Sequence, residues 1–170
     1  PPPQTPPMQY PPAPIVPAWL HSLDYVGVDC YFPLDVVTPS LPWEDASPTQ
    51  LARAWEVYVT ALSNYSALIG DKKIVCTEVG YQSRPWSYSG PAGVVQPDGT
   101  DCSVWDLCVS LNAQAVAYEA LFGALYPQEW FAGFYLWLWR ADPTAGGTSD
   151  DDFTPHGKPD TQRVLDKWWR

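Results

Sequence analysis

The stretch that most limits what this chain can fold into is Lys72 to Tyr81, Lys-Lys-Ile-Val-Cys-Thr-Glu-Val-Gly-Tyr. It reads as a short strand, Lys73 to Val79, stopped by a glycine. Ile74, Val75, Thr77 and Val79 are β-branched and suit a pleated surface. Simple alternation puts Ile74, Cys76 and Glu78 on one face and Val75, Thr77 and Val79 on the other. Both faces are largely apolar, so the strand is expected in a parallel sheet covered on both sides. The preceding segment reinforces this. Asp24 to Phe32 reads as a strand ended by Pro33. Ser47, Pro48 and Gln50 then form a helix start, with a capping box and proline at the first helical position. Leu51, Trp55, Tyr58, Val59 and Leu62 recur at helical spacing, the stripe runs on through Leu68 and Ile69, and Gly70 is placed to stop the helix. Strand, crossover helix and strand make a βαβ unit with parallel strands.

The same alternation continues. Asp101 or Ser103 is expected to cap a second helix running to about Leu125, with Val104, Leu107, Cys108, Leu111, Ala115, Tyr118, Leu121, Phe122 and Leu125 on its apolar face. Phe131 to Trp139 reads as a third strand, with Gly133, Tyr135, Trp137 and Trp139 on one face and Phe134, Leu136 and Leu138 on the other. Pro159 can open a final short helix. Between these elements lies a long loop, Gln82 to Thr100, that carries Arg84, Trp86 and Tyr88. A loop of that length after a strand is usually functional or disordered, and its aromatic residues favour a functional surface. Residues 1–17 are proline-rich and are expected to be an extended, disordered tail. The remainder, 18–170, is expected to be one α/β unit.

Composition narrows the function. Ten Trp and ten Tyr in 170 residues call for a core or a binding surface, and sugar rings stack well on indole faces. A formal net charge of −10 argues against nucleic acid and anionic membranes as partners. No apolar run approaches the length of a membrane span. The first residues do not read as a signal peptide, yet the chain does not begin with Met, so secretion stays open and localisation is not assigned. Cys30, Cys76, Cys102 and Cys108 lack metal-pair spacing. Cys30 and Cys76 are expected to be buried thiols inside strands, and Cys102 and Cys108 can form a local disulfide. His21 and His156 have no metal partner at useful spacing, and His156 reads as a structural residue in a turn. No metal or cofactor is expected.

Taken alone, Glu78 has two readings. It is a strand-end glutamate, solvated or paired with an arginine, or a carboxylate in the mouth where parallel strands end. Asp29 and Tyr31 share the second ambiguity, between a solvated strand face and the inner wall of a barrel.

The stretches LDYVGVDCYFPL, KIVCTEVGYQS, NAQAVAYEAL and GFYLWLWRADPTAGGTSDDDFTPHGKP together resemble the carboxy-terminal part of glycoside hydrolase family 113, the β-mannanase-type (β/α)8 barrels of clan A. The resemblance implies a partial TIM barrel whose three parallel strands are equivalent to strands six, seven and eight. It implies that Glu78 is the nucleophile of a retaining glycosidase and that Tyr31 orients it. It also implies a strand-eight tryptophan under the sugar, Trp139 or Trp137; Asp29 and Trp86 are further candidates for saccharide contact. A retaining mechanism needs two carboxyl groups about 5 Å apart. The family acid/base lies at the end of strand four, and none of Glu44, Glu56, Glu119 or Glu129 matches it.

A complete barrel of this kind needs about 250 residues, and three strands cannot close. The implied partners are therefore a carbohydrate and either the amino-terminal half of a barrel or a second copy. The 170 residues alone are expected to be inactive, and weakly folded or self-associating, with Tyr31, Cys76, Tyr135 and Trp137 on inner faces. The alternatives are a non-catalytic saccharide-binding remnant, or a structural protein that works through its proline-rich tail.

Overall fold

The computed structural model describes residues 16–34, 46–91 and 109–169. The proline-rich tail through residue 15, the expected helix start at Asp101 or Ser103 and the Cys102–Cys108 pair lie outside the described residues.

Three strands form one parallel sheet: β1 (Tyr25–Asp29), β2 (Lys73–Val79) and β3 (Phe131–Leu136), in the order β1-β2-β3. Helix α1 (Pro48–Leu68) connects β1 to β2, α2 (Leu111–Leu125) precedes β3, and α3 (Pro159–Trp168) closes the described chain. A 3₁₀ turn, Ala18–Ser22, leads into β1. Helix α1 lies against α2, and α2 against α3. All three helices share a core with one face of the sheet, so the other face is left open. This is the partial α/β barrel that the sequence implies.

The helices start where local chemistry says they should, with one exception. Ser47 Oγ accepts from the Gln50 amide at 3.3 Å while Gln50 Oε1 accepts from the Ser47 amide at 2.8 Å, closing the capping box. Leu51, Trp55 and Leu62 of α1 are buried, and Gly70 ends the helix with φ +85°. Trp55 packs edge-on against Phe32, which stacks on Tyr58 at 4.6 Å. The exception is α2, which begins at Leu111 rather than near Ser103. Ser110 is extended, and its hydroxyl accepts from the Ala113 amide at 3.0 Å. Its own amide donates to the Ser83 carbonyl at 2.8 Å, which holds Ser110 outside the helix. The helix that reaches Leu125 is thus capped at Ser110. Strand β3 is likewise shorter than expected: it stops at Leu136, and Trp137 to Trp139 lie beyond it.

The sheet faces correct a second expectation. Val26, Cys30, Ile74 and Cys76 are buried under the helices, so Cys76 does not line an inner face. Nor is it a free thiol, because Cys30 and Cys76 are joined by a disulfide with Cα atoms 5.6 Å apart. The parallel register pairs Val28 with Cys76 and brings the following half-turn of chain, with Cys30, alongside. That register is a tertiary fact and cannot be read from cysteine spacing.

The loops beyond β2 and β3 are tied to each other by charge. Three consecutive aspartates each take a cation from a different segment. Lys158 Nζ is 2.9 Å from Asp150 Oδ1, Arg84 Nη2 is 2.6 Å from Asp151 Oδ2, and Arg140 pairs with Asp152. Lys158 is fully buried. Burial pushes its ammonium down from the usual lysine range, opposed by Asp150 and the neighbouring aspartates. Its Nζ also donates to Ser83 Oγ and to the Asp152 carbonyl, each at 2.6 Å. Buried Gln114 completes the seam, donating to the carbonyls of Tyr81 at 2.8 Å and Phe153 at 3.0 Å. Among the described residues no helix is long and apolar enough to cross a membrane.

Two outcomes follow from this architecture. The Cys30–Cys76 bridge closes a sequence separation of 46 residues, and a loop of that size corresponds to about 4 kcal/mol in the chain-entropy estimate. Paired Cys30→Ser and Cys76→Ser substitution should lower the urea midpoint accordingly, to a degree that equals reduction of the wild-type chain in the same titration. The second outcome concerns acid. Burial pushes the Asp152 carboxyl up, but the Arg140 and Phe153 hydrogen bonds and the charges of Arg140 and Lys158 outweigh it and hold it below the usual aspartate range. A depressed folded-state value stabilises above the ordinary aspartate pKa of about 3.9 and is lost as pH falls below it. Between about pH 5 and about pH 3, the thermal midpoint of the wild-type chain should fall further than that of Asp152→Asn, followed by circular dichroism.

Candidate active site

The ends of β1 and β2 bring two of the expected residues together. Beyond β1 the ladder continues for one more bond, from the Cys30 amide to the Glu78 carbonyl at 2.7 Å. Cys30 turns into the core, so Tyr31 turns to the open face. There the Tyr31 hydroxyl donates to Glu78 Oε2 at 3.2 Å. Burial, followed by the Glu78 hydrogen bond and charge and then by Tyr118 and Asp29, pushes the Tyr31 phenol far above the usual tyrosine value. Tyr31 therefore keeps its proton and remains a donor to the Glu78 carboxylate.

Glu78 reaches that face by a break in alternation. Cys76 and Val79 are both fully buried, so two residues, Thr77 and Glu78, lie between two core positions. The ladders agree. Val28 pairs with Cys76 and Asp29 with Glu78, skipping Thr77, and on the other side Cys76 pairs with Phe134 and Val79 with Leu136. Past Cys76, β2 thus carries one residue more than either neighbour, the signature of a β-bulge, whereas nearer its start the extra residue is in β3, with Ile74 paired to Phe131 and Val75 to Gly133. Strict alternation had placed Glu78 with Ile74 and Cys76; the bulge moves it to the opposite face. Thr77 is exposed on that face, where its hydroxyl donates to Asp29 Oδ1 at 2.7 Å.

The two tryptophans beyond β3 are not equivalent. The Trp137 amide donates to the Val79 carbonyl at 2.8 Å, which anchors Trp137 beside the residue that follows Glu78. Gly80 makes this approach possible, since a Cβ there would lie 1.7 Å from the Trp137 carbonyl oxygen. The Trp137 side chain is 42% exposed. Trp139 is 53% exposed and lines a cleft of about 840 Å³ between β3 and α3, with Tyr135, Gln162 and Trp169 among its other walls. Its indole lies 6.3 Å from the His156 ring, and His156 Nδ1 is held 2.8 Å from the Ala145 carbonyl. Among the described residues the Trp139 indole makes no hydrogen bond to Glu78. Trp86 is half-buried against the core with φ +56°.

The remaining glutamates lie elsewhere or outside the described residues. Glu56 is exposed on α1 and Glu129 is exposed just before β3. Glu119 takes Lys167 Nζ at 2.5 Å and the Trp168 indole at 3.1 Å, joining α2 to α3. Glu44 is not among the described residues. Among the described residues no three His, Cys, Asp or Glu side chains are grouped to hold a metal.

Glu78 and Tyr31, both singled out in the sequence, are in contact here; Thr77, Gly80 and the Lys158 seam were not singled out there. A glycine directly after a strand-end glutamate was a visible sign of close backbone approach. The identity of what approaches, the Trp137 carbonyl, was not visible.

No curated protein sequence matches the chain. A β-mannanase of family 113 from Alicyclobacillus acidocaldarius, AaManA, solved in complex with ManMIm, is similar in fold, with a TM-score of 0.60 at 24% identity. The match covers 87% of this chain and 39% of that one. A complex structure of a family 113 β-1,4-mannanase is similar with a TM-score of 0.53 at 24% identity, over 89% of this chain and 41% of that one. The chain thus spans about two-fifths of the length of these solved relatives. The sequence profile of glycoside hydrolase family 113 matches residues 16–158, and the chain therefore belongs to that family.

Proposed function

We propose that this chain is part of a retaining glycoside hydrolase that acts on β-linked, mannan-like saccharides, with Glu78 as the nucleophile. The observation that carries the reading is the Tyr31–Glu78 hydrogen bond at the carboxyl ends of two parallel strands, on the face free of helices. In this reading the Glu78 carboxylate attacks the anomeric carbon as the bond to the leaving oxygen breaks, forming a glycosyl-enzyme ester, and the leaving oxygen takes its proton from a general acid supplied by the rest of the barrel. Water then cleaves the ester and restores the carboxylate. The Tyr31 phenol aims the Glu78 side chain before attack through its hydrogen bond to Oε2. Trp137, anchored beside Glu78, is the preferred platform for the sugar ring, with Trp139 further along the same loop. Asp29 and Trp86 remain candidates for saccharide contact at the margins.

A general acid/base is not assigned within the chain, because Glu56, Glu119 and Glu129 are held away from Glu78. Turnover then depends on a segment that completes the barrel along the free edges of β1 and β3. The cleft beside β3 is the proposed seat for part of it; self-association of this chain is the competing way to cover those edges. A second reading, saccharide binding without hydrolysis, is favoured by the same glutamate positions together with the exposure of Trp137 and Trp139.

Two experiments test the assignment. Glu78→Gln keeps the shape and removes the nucleophilic charge, so in a complete barrel it should abolish glycosidase activity and leave mannooligosaccharide binding intact. A mechanism-based fluoroglycoside should label Glu78 by mass spectrometry; label on another carboxylate would overturn the assignment, and binding without any turnover or label would favour the second reading. Gly80→Ala tests the platform. The added methyl meets the Trp137 carbonyl, so it should weaken oligosaccharide binding and lower the thermal midpoint together, measured by calorimetry on the same protein.

A further inference from the structure

We propose that Asp29 and Thr77 are positioning residues: their side chains form a latch that holds the β-bulge of β2 and so aims Glu78 at Tyr31. The functional weight of this latch rests on the reading of Glu78 as the nucleophile, but the latch itself does not.

The bulge places two consecutive side chains, Thr77 and Glu78, on one face of the strand. The parity of Glu78 is set by its neighbour, because Val79 fills a fully buried site and leaves Glu78 no place on the helix side. Parity alone does not set aim. Side by side on the same face, Thr77 and Glu78 compete for the space over β1. Three contacts resolve the competition. The Thr77 hydroxyl donates to Asp29 Oδ1 at 2.7 Å and draws Thr77 toward β1. Gly27 leaves room for the Thr77 methyl, since a Cβ at Gly27 would lie 2.6 Å from Thr77 Cγ2. Glu78, displaced past Thr77, then stands opposite Asp29 in the ladder and meets the hydroxyl of Tyr31 at 3.2 Å. Asp29 is thereby engaged with Thr77, a role distinct from the saccharide contact expected of it. A bulge that re-aims one side chain is a recurrent device beside functional sites.

The latch makes a requirement for specific atoms. It needs a hydroxyl at position 77 and an acceptor oxygen at position 29, but no negative charge at position 29. Thr77→Val is nearly isosteric and lacks the hydroxyl, whereas Thr77→Ser keeps it. Asp29→Ala lacks the acceptor, whereas Asp29→Asn keeps an Oδ1 oxygen. The readout is the nuclear Overhauser contact between the Tyr31 ring and the Glu78 side chain, together with the Glu78 carboxyl carbon shift, with Tyr31→Phe supplying the shift of a Glu78 that lacks its phenol partner. Thr77→Val and Asp29→Ala should lose the contact and move the carboxyl shift to the Tyr31→Phe position, with the Cys30–Cys76 bridge still formed. Thr77→Ser and Asp29→Asn should retain the wild-type contact and shift. A wild-type contact in Thr77→Val, or its loss in Asp29→Asn, overturns the latch. Should Thr77→Val not fold, the comparison of Asp29→Ala with Asp29→Asn decides alone. Failure of the nucleophile reading looks different: the contacts would follow this pattern while the fluoroglycoside labels some other residue.

Discussion

Strand β2 is hydrogen-bonded on both sides, and everything at the candidate site follows from how its seven residues divide between a buried face and an open one. Ile74, Cys76 and Val79 are committed to the core with no exposed surface. Moving any of them to the open face would forfeit roughly 1.5–3 kcal/mol of burial for each large side chain. The chain meets that demand with an extra residue at Thr77, and the direction of Glu78 is a consequence. A one-residue change in register reverses every side chain beyond it, so a site built on a single strand-end carboxylate is sensitive to such a device. The disulfide reinforces the same division on the helix side, joining β1 to β2 close beneath Tyr31 and Glu78.

The second organising interaction lies in the loops. A fully buried lysine is costly unless its charge is met, and Lys158 is met by one carboxylate, a hydroxyl and a backbone carbonyl drawn from two loops. Removing the Asp150 carboxylate would leave the ammonium only the hydroxyl and the carbonyl as direct partners. The segment from Arg140 to Lys158 is therefore bound to the segment that follows Glu78 more firmly than its glycine content would suggest. Gly146 and Gly147 serve a related purpose. Both have positive φ, and a Cβ at Gly146 would lie 2.1 Å from the His156 carbonyl oxygen, so the loop can fold back closely on itself. His156 is fixed by that fold and sits beside Trp139, consistent with a structural role. The loop seam also holds the Trp137–Trp139 segment close to the end of β2, where the Trp137 amide meets the Val79 carbonyl.

Much of this was legible in the residues. Parallel strands near 24–32, 73–79 and 131–139 and the crossover helix after Ser47 follow from hydrophobic period, capping and β-branching, which are local properties that neighbours reinforce. Glu78 and Tyr31 stood out because a carboxylate and a phenol at the ends of apolar strands are hard to place elsewhere. Local signals failed where a distant partner intervened. Ser110, the cap of α2, bonds to Ser83. Cys30 and Cys76 proved to be a bridge because the sheet register sets them side by side. The face of Glu78 was wrong by strict alternation because the core demanded Val79. The sequence by itself determined which segments become strands and helices, since periodicity is written in adjacent residues. Only the tertiary structure decided where Glu78 points and what Gly80 and Lys158 touch, because register and burial depend on residues dozens of positions away.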